Sequence, residues 1–208
     1  MTTSFGQPAK WPLCSDANEF LYAESAAIIT QHSLPHRAVW GMLHSPARNR
    51  WLVRRQEDLG GFWDISCGDH VVVVGRQPET YQEAYARALR TLYSLETAWI
   101  DRAEAERGRL SAPSGKLVTV DLGYSKEYNW TLTRERELHL EREHVNIFLT
   151  ICDGDVTLRA NNASTCWVTA DQMRSEIDAN NCVGALIHAF ELCMRFVRRY
   201  DLRLSKGR

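Results

Sequence analysis

No CxxC pair and no zinc-knuckle spacing occurs among the six cysteines of this 208-residue chain (Cys14, Cys67, Cys152, Cys166, Cys182, Cys193). That excludes the common structural zinc modules, and a chain of this size has no need of covalent staples, so reduced thiols in a cytoplasm are expected. Long apolar runs are missing as well. Nothing approaches the roughly 18 residues that read as a membrane helix, and the N-terminus lacks a basic start followed by an apolar stretch, so neither a membrane nor a secreted location is expected. A surplus of one charge is also lacking: 25 Lys and Arg face 26 Asp and Glu, a net charge of -1. No global field gathers polyanions, which argues against nucleic-acid partners. What is present is ordinary soluble-protein material, 44% hydrophobic and 25% charged, enough to bury roughly 70% of the extended chain's surface in one core.

Along the chain, residues 1–19 contain Gly6, Pro8 and Pro12 with little periodicity and read as an irregular arm. Leu21, Ala23, Ala27 and Ile28 predict a short helix over Phe20 to Gln31, ended by the restriction that Pro35 places on its predecessor. Arg37 to Leu43 and Trp51 to Arg55 are apolar, β-favouring runs on either side of HSPARNR, a hairpin pattern. FWDIS and the valines at 71 to 74 are further strands, broken by Gly75 and Pro78. From Thr80 the period changes: Tyr81, Ala84, Tyr85, Ala88, Leu89, Leu92, Leu95 and Trp99 stand at three- and four-residue spacings, so one long amphipathic helix is expected, running out before Gly108. Thr80 and Glu83 have the spacing of a capping box. Pro113 and Gly115 mark a loop. KLVTVDL and the segment from Tyr128 to Leu149 alternate as strands, CWVT is another, ADQMRSEI is a short helix, and Cys182 to Tyr200 is a C-terminal helix.

The segment HRAVWGML, WLVRRQ, GGFWDISCGDH, ETYQEAYARALRTL, from His36 onward, resembles the Nudix superfamily. The matching features are the HRAV strand, the strand ending in Arg54 and Arg55, Trp63, Asp64 and Ser66 after Gly60 and Gly61, the turn at Gly68 and His70, and Glu79 with Arg87. The resemblance implies an α/β fold, a Nudix-type α/β/α sandwich with a mixed β-sheet. Residues 1–34 would form an arm and short helix, 35–180 the domain, and 181–208 an extra C-terminal helix packed on it. The family's helix carboxylates are replaced, since Ala88, Thr91 and Leu92 stand where glutamates are expected. Magnesium is a hard ion that prefers oxygen ligands, so the usual Mg site is absent and standard hydrolysis is hard to support.

Beyond the box, the chain resembles the isopentenyl-diphosphate-isomerase-like branch. There, a histidine on the first strand, one after the turn, and a Glu-x-Glu pair build a metal and proton-transfer site. The counterparts are His36, His70, Glu141 and Glu143. Residues two apart in an extended chain face one side, so both carboxylates can enter one pocket. Two positions depart from the branch: its cysteine falls at Gly68, with Cys67 one place early, and its remaining helix glutamate falls at Leu92.

Each candidate has a plainer reading. Glu143 and Glu141 are an acid/base pair or a solvated charged face; His70 is a ligand, a proton donor or a turn histidine; His36 and His144 are ligands or structural histidines. Cys67 is a nucleophile or a buried small apolar residue, and Asp69 a site carboxylate or a turn former. Arg54 and Arg55 receive phosphate or end a strand in solvent. Trp63, Tyr128 and Trp130 wall a ligand or pack in the core.

Three functions follow. The first is an enzyme acting on a small, possibly diphosphate-bearing metabolite by isomerase-, lyase- or cyclase-type proton transfer. The second is a ligand-binding or regulatory module without chemistry, and the third a hydrolase with a displaced metal site built from Asp69, Glu79 or Glu83. A homodimer through the apolar faces of the 80–103 and 182–200 helices is compatible with the pattern.

Overall fold

A computed structural model describes residues 9–56, 60–108, 117–132, 138–152 and 164–200, with side chains left aside for 128–139. The N-terminal part contains β1 (Lys10–Cys14), β2 (Phe20–Ser25) and α1 (Ala26–Gln31). Then come β3 (His36–Ser45), β4 (Arg50–Gln56), β5 (Phe62–Asp64), β6 (Cys67–His70), and a small ribbon of β7 (Val73–Val74) and β8 (Gln77–Pro78). Helix α2 (Tyr81–Tyr93), β9 (Thr97–Ile100), α3 (Arg102–Glu106), β10 (Leu117–Leu132) and β11 (Leu138–Ile151) lead to β12 (Thr165–Val168), α4 (Ala170–Asp178) and α5 (Gly184–Tyr200). The loop expected at Pro113 and Gly115 and the Trp130 and Tyr128 side chains lie outside the described residues.

The main sheet runs β12-β4-β3-β11-β10-β9, with β1, β5 and β6 attached to β3 or β4. It is mixed: β11 lies parallel to β3 and β10 parallel to β9, while β3 and β4, and β10 and β11, are antiparallel. Strand alternation sorts the side chains into two cores. Ala38, Trp40, Met42, Val145, Ile147 and Leu149 pack with Leu186, Phe190 and Cys193 of α5. Val39, Leu43, Cys67 and Phe148 pack with Ala84, Tyr85, Ala88 and Leu89 of α2. Helices therefore cover both faces, α2 one of them and α5 with residues of α3 and α4 the other, and the apolar stripes of α2 and α5 pack within the chain.

Four expected elements differ. Phe20–Ser25 is a strand, because β1 offers it a full antiparallel partner from Lys10↔Ser25 to Cys14↔Phe20; tertiary pairing outweighs the helical spacing. The arm is thus ordered from residue 9 onward rather than irregular. The long helix stops at Tyr93, because Ser94 takes the left-handed conformation (φ 56) and its N–H bonds back to Arg90 and Leu89. Leu95 to Glu106 then turn into β9 and α3. The valine run contributes only Val73 and Val74 to a strand. The capping box at Thr80 and Glu83 is present as expected.

Helix α2 approaches β3 closely at Gly41, where an added Cβ would sit under 3.0 Å from the Tyr85 ring. That ring is held in turn by Phe148 stacking at 4.6 Å and by a hydroxyl chain from Tyr85 through Thr150 and Thr119 to Thr97. Gly41→Ala should therefore destabilise the fold by about 1–3 kcal/mol through overpacking, read as a lowered urea midpoint. An unchanged midpoint would mean that the Tyr85 ring yields freely.

Candidate functional site

Strand register explains why three residues distant in sequence meet. Glu143 on β11 pairs with His36 on β3, and His70 on β6 pairs with Ala38, two residues along β3. Positions 36 and 38 share a face, so His36, His70 and Glu143 project to the same side of the sheet at the N-terminal end of β3. Glu143 Oε1 lies 3.8 Å from His36 Nε2 and 3.5 Å from His70 Nε2, and one donor atom from each residue falls within 4.8 Å of the others. Among the described residues this is the one cluster of His, Cys, Asp or Glu with such spacing. Glu141, two residues before Glu143, lies on the same face, and its charge acts on His70.

The electrostatics are those of neutral imidazoles beside an acid. Burial, followed by the His70 charge, lowers the His36 pKa to about 4, and burial also lowers that of His70. Burial raises the Glu143 pKa to about 7, against the opposing influence of His36. The close His–Glu contacts are therefore not ion pairs at neutral pH. Glu143 also accepts a hydrogen bond from the Trp40 side chain and feels the charges of Asp64 and Glu127. Glu127 stands directly across the β10–β11 ladder, with its Oε1 3.3 Å from His188 Nε2 of α5.

The donor set fits a divalent cation. His36 Nδ1–H donates to the Leu34 carbonyl at 2.9 Å, which leaves the Nε2 lone pair turned inward. His36 Nε2 and both ring nitrogens of His70 are buried with no hydrogen-bond partner. An unsatisfied buried polar group costs about 1–3 kcal/mol, so these ring nitrogens are chemically open to a ligand. Two imidazoles and a carboxylate suit borderline first-row ions such as zinc, manganese, cobalt or iron(II) better than magnesium.

The other candidates are placed elsewhere. Cys67 is fully buried on the α2 face, and burial pushes its thiol pKa far up, so it is not brought to the histidines. Its one-place offset from Gly68 turns it to the opposite side of the strand. Gly68 does face the site side, where Ile65 occupies the space a side chain would need. Asp69 and Glu79 both bind Arg87, Glu79 also accepts from the Val72 N–H at 2.9 Å, and Glu83 is engaged in the capping box. These carboxylates form a scaffold beneath α2 rather than a displaced metal site. Arg54 donates to the Ile65 carbonyl at 3.1 Å and contacts Asp64, while Arg55 donates to Gly61 and lies over the Trp63 ring at 5.6 Å. Trp63 packs against the α5-side core. His144 bonds Ser15 and Tyr124 on the far face.

Sequence reasoning missed Trp11, Trp40, Glu127 and His188. Trp40 carries a signal, since it shares the two-residue alternation of His36 and Ala38. Glu127 becomes visible only once the hairpin register is known, and Trp11 only once the arm is seen to be a strand.

No family model matches the chain, and no curated protein sequence matches it. Solved structures do. DR0079 from Deinococcus radiodurans is similar over 92% of this chain and 99% of its own, with 17% identity and a TM-score of 0.56. RenU, a Nudix hydrolase from M. smegmatis, is similar over 92% of this chain and 97% of its own, with 14% identity and a TM-score of 0.44. The Ap4A hydrolase of C. elegans covers 76% of this chain and 97% of its own, with 13% identity and a TM-score of 0.46. Among the described residues no helix is long and apolar enough to cross a membrane. Likeness at such identities is likeness of fold, and the chain shares with DR0079 an α/β architecture in which helices cover both faces of a mixed sheet.

Proposed function

We propose that the chain is a Nudix-fold enzyme that moves a proton on a small metabolite through Glu143, beside a divalent ion held by His36, His70 and Glu143. The observation that carries this reading is the convergence of two neutral histidines with orphaned ring nitrogens on one buried carboxylate. When bound, such an ion supplies positive charge that polarises an oxygen of the ligand.

The chain's own residues supply the rest. Without the ion, burial raises the Glu143 carboxyl to about 7; a bound cation would favour its ionised form, so in the loaded site Glu143 would be the base that takes the proton. Trp40 orients Glu143 by its hydrogen bond, and Glu127, itself held by His188, stands directly across the ladder from it. Glu141 adds negative charge beside His70. Isomerisation, elimination or cyclisation suits one such acid–base group better than hydrolysis, because the helix carboxylates are replaced and Ala88 is packed in the core. A diphosphate on the substrate would have to draw Arg54 or Arg55 from their present partners or be met through the cation.

Calorimetric titration tests the site. Zinc or cobalt should bind once per chain and magnesium far more weakly, and His36→Ala should lower the affinity by at least the ~10–100-fold that follows loss of a supporting partner. Absence of zinc binding, or an unaffected His36→Ala variant, would end the metal reading. The same replaced helix carboxylates favour a second reading, a binding module without chemistry. A ligand recovered intact after long incubation with the metal-loaded protein would select it.

A further inference from the structure

His36 and His70 are held in different ways. The His36 ring is fixed by its hydrogen bond to Leu34. The His70 ring has no hydrogen-bond partner on either nitrogen, and the second side-chain torsion of a histidine is broad unless something packs against the ring. What packs against it is Trp11, whose indole stacks on His70 with ring centroids 3.7 Å apart and planes 16° apart. The same indole reaches His36 at 5.2 Å and 23°.

The position of Trp11 follows from how β1 meets the sheet. β1 touches β3 at one pair, Leu13↔His36, and the next positions along that edge of β3 are taken by β6, beginning at Ala38↔His70. Displaced from the edge, β1 continues over the sheet face, and Trp11, on the same side of its strand as Leu13, lands on the imidazole. A small core of its own fixes it there, made with Ala9, Ile29, Leu34 and Val72. Trp11 is 7% exposed, and its indole nitrogen is buried without a partner.

We propose that Trp11 is a positioning residue of the site: its indole sets the plane of His70, taking the place of the hydrogen bond that such a histidine ordinarily makes, so the cation site is complete only when β1 is docked. The proposal rests on the metal reading for its effect on affinity but not for its effect on His70 itself, and two measurements separate them. The variants are Trp11→Leu, which keeps apolar bulk in the small core without a stacking ring, and Trp11→Phe, which keeps a ring. With cobalt as probe, Trp11→Leu should weaken binding ~10–100-fold and alter the visible absorption of the bound ion, and Trp11→Phe should restore most of the affinity and the spectrum. Without metal, carbethoxylation of His70 by diethylpyrocarbonate, mapped by mass spectrometry, should be several-fold faster in Trp11→Leu than in the wild type or in Trp11→Phe. Equal His70 modification in wild type and Trp11→Leu overturns the proposal, as does equal cobalt affinity. A wild-type protein that binds no cobalt, yet whose His70 becomes exposed in Trp11→Leu, overturns the metal reading and leaves Trp11 as the residue that positions His70.

Discussion

Glu143→Gln is expected to make the metal-free protein more stable at pH 8 by about 3 kcal/mol while removing the proposed proton transfer. Burial raises this carboxyl from its ordinary 4.5 to about 7, and the side chain is 5% exposed, so solvent screening reduces the effect little. Between those two values the folded state holds a proton that the unfolded state has lost. Unfolding therefore releases a proton, and stability falls as pH rises from about 4.5 to about 7, with the full penalty present above that range. The distance between the two values corresponds to about 3 kcal/mol. Glutamine keeps the shape and carries no charge at any pH, so the penalty disappears. Urea denaturation of both proteins at pH 5 and pH 8 is the measurement: a small difference at the lower pH and a large gain for the variant at the higher one are expected. A difference independent of pH would show that Glu143 is not held protonated by burial. If Glu143 carries the proposed proton transfer, the same substitution should abolish turnover, and one group would then both destabilise the fold and serve the chemistry.

The opposite sign is expected at Arg87. Its guanidinium binds both Asp69 and Glu79 and also donates to the His70 carbonyl at 2.8 Å, and each carboxylate is 9% exposed. Arg87→Leu leaves two poorly solvated carboxylates facing each other, an arrangement that costs about 3–5 kcal/mol when one partner of a buried pair is removed. The loss should reach the site as well, because Arg87 and the Asp69 bond to the His70 N–H at 2.8 Å together hold the end of β6. Two checks follow. Arg87→Leu should unfold at a much lower urea concentration, and the triple variant Arg87→Leu, Asp69→Asn, Glu79→Gln should recover much of the loss by removing the stranded charges. A single variant within 1 kcal/mol of wild type would mean that water already solvates these groups.

The elements most legible in the sequence were those whose period is reinforced over many residues, such as β3, the first part of α2, and α5. His36, His70, Glu141 and Glu143 were legible as a set because a strand places every second residue on one side, and because their order resembles a known family. Cys67 shows the other side of the same rule: one residue of offset is enough to bury its thiol under α2. The arm was not legible, since FLYAES satisfies helical and extended spacing alike and only its partner β1 decides between them. Ser94 gave no warning of the helix end because a serine seldom takes a left-handed conformation, and the apolar spacing continues past it through Leu95 and Trp99.

The parallel register that sets Glu143 against His36 also governs when the site comes into being. A parallel pair cannot form by a local turn, and these two strands come from opposite parts of the chain, so a large loop must close before any of its contacts are gained. Glu143 therefore gains its place beside the histidines only after that loop has closed, however well formed α2 and α5 are. A ligand that needs all of them meets its partners only after the barrier is crossed, and its stabilisation should appear as slower unfolding, with the rate of folding left almost untouched.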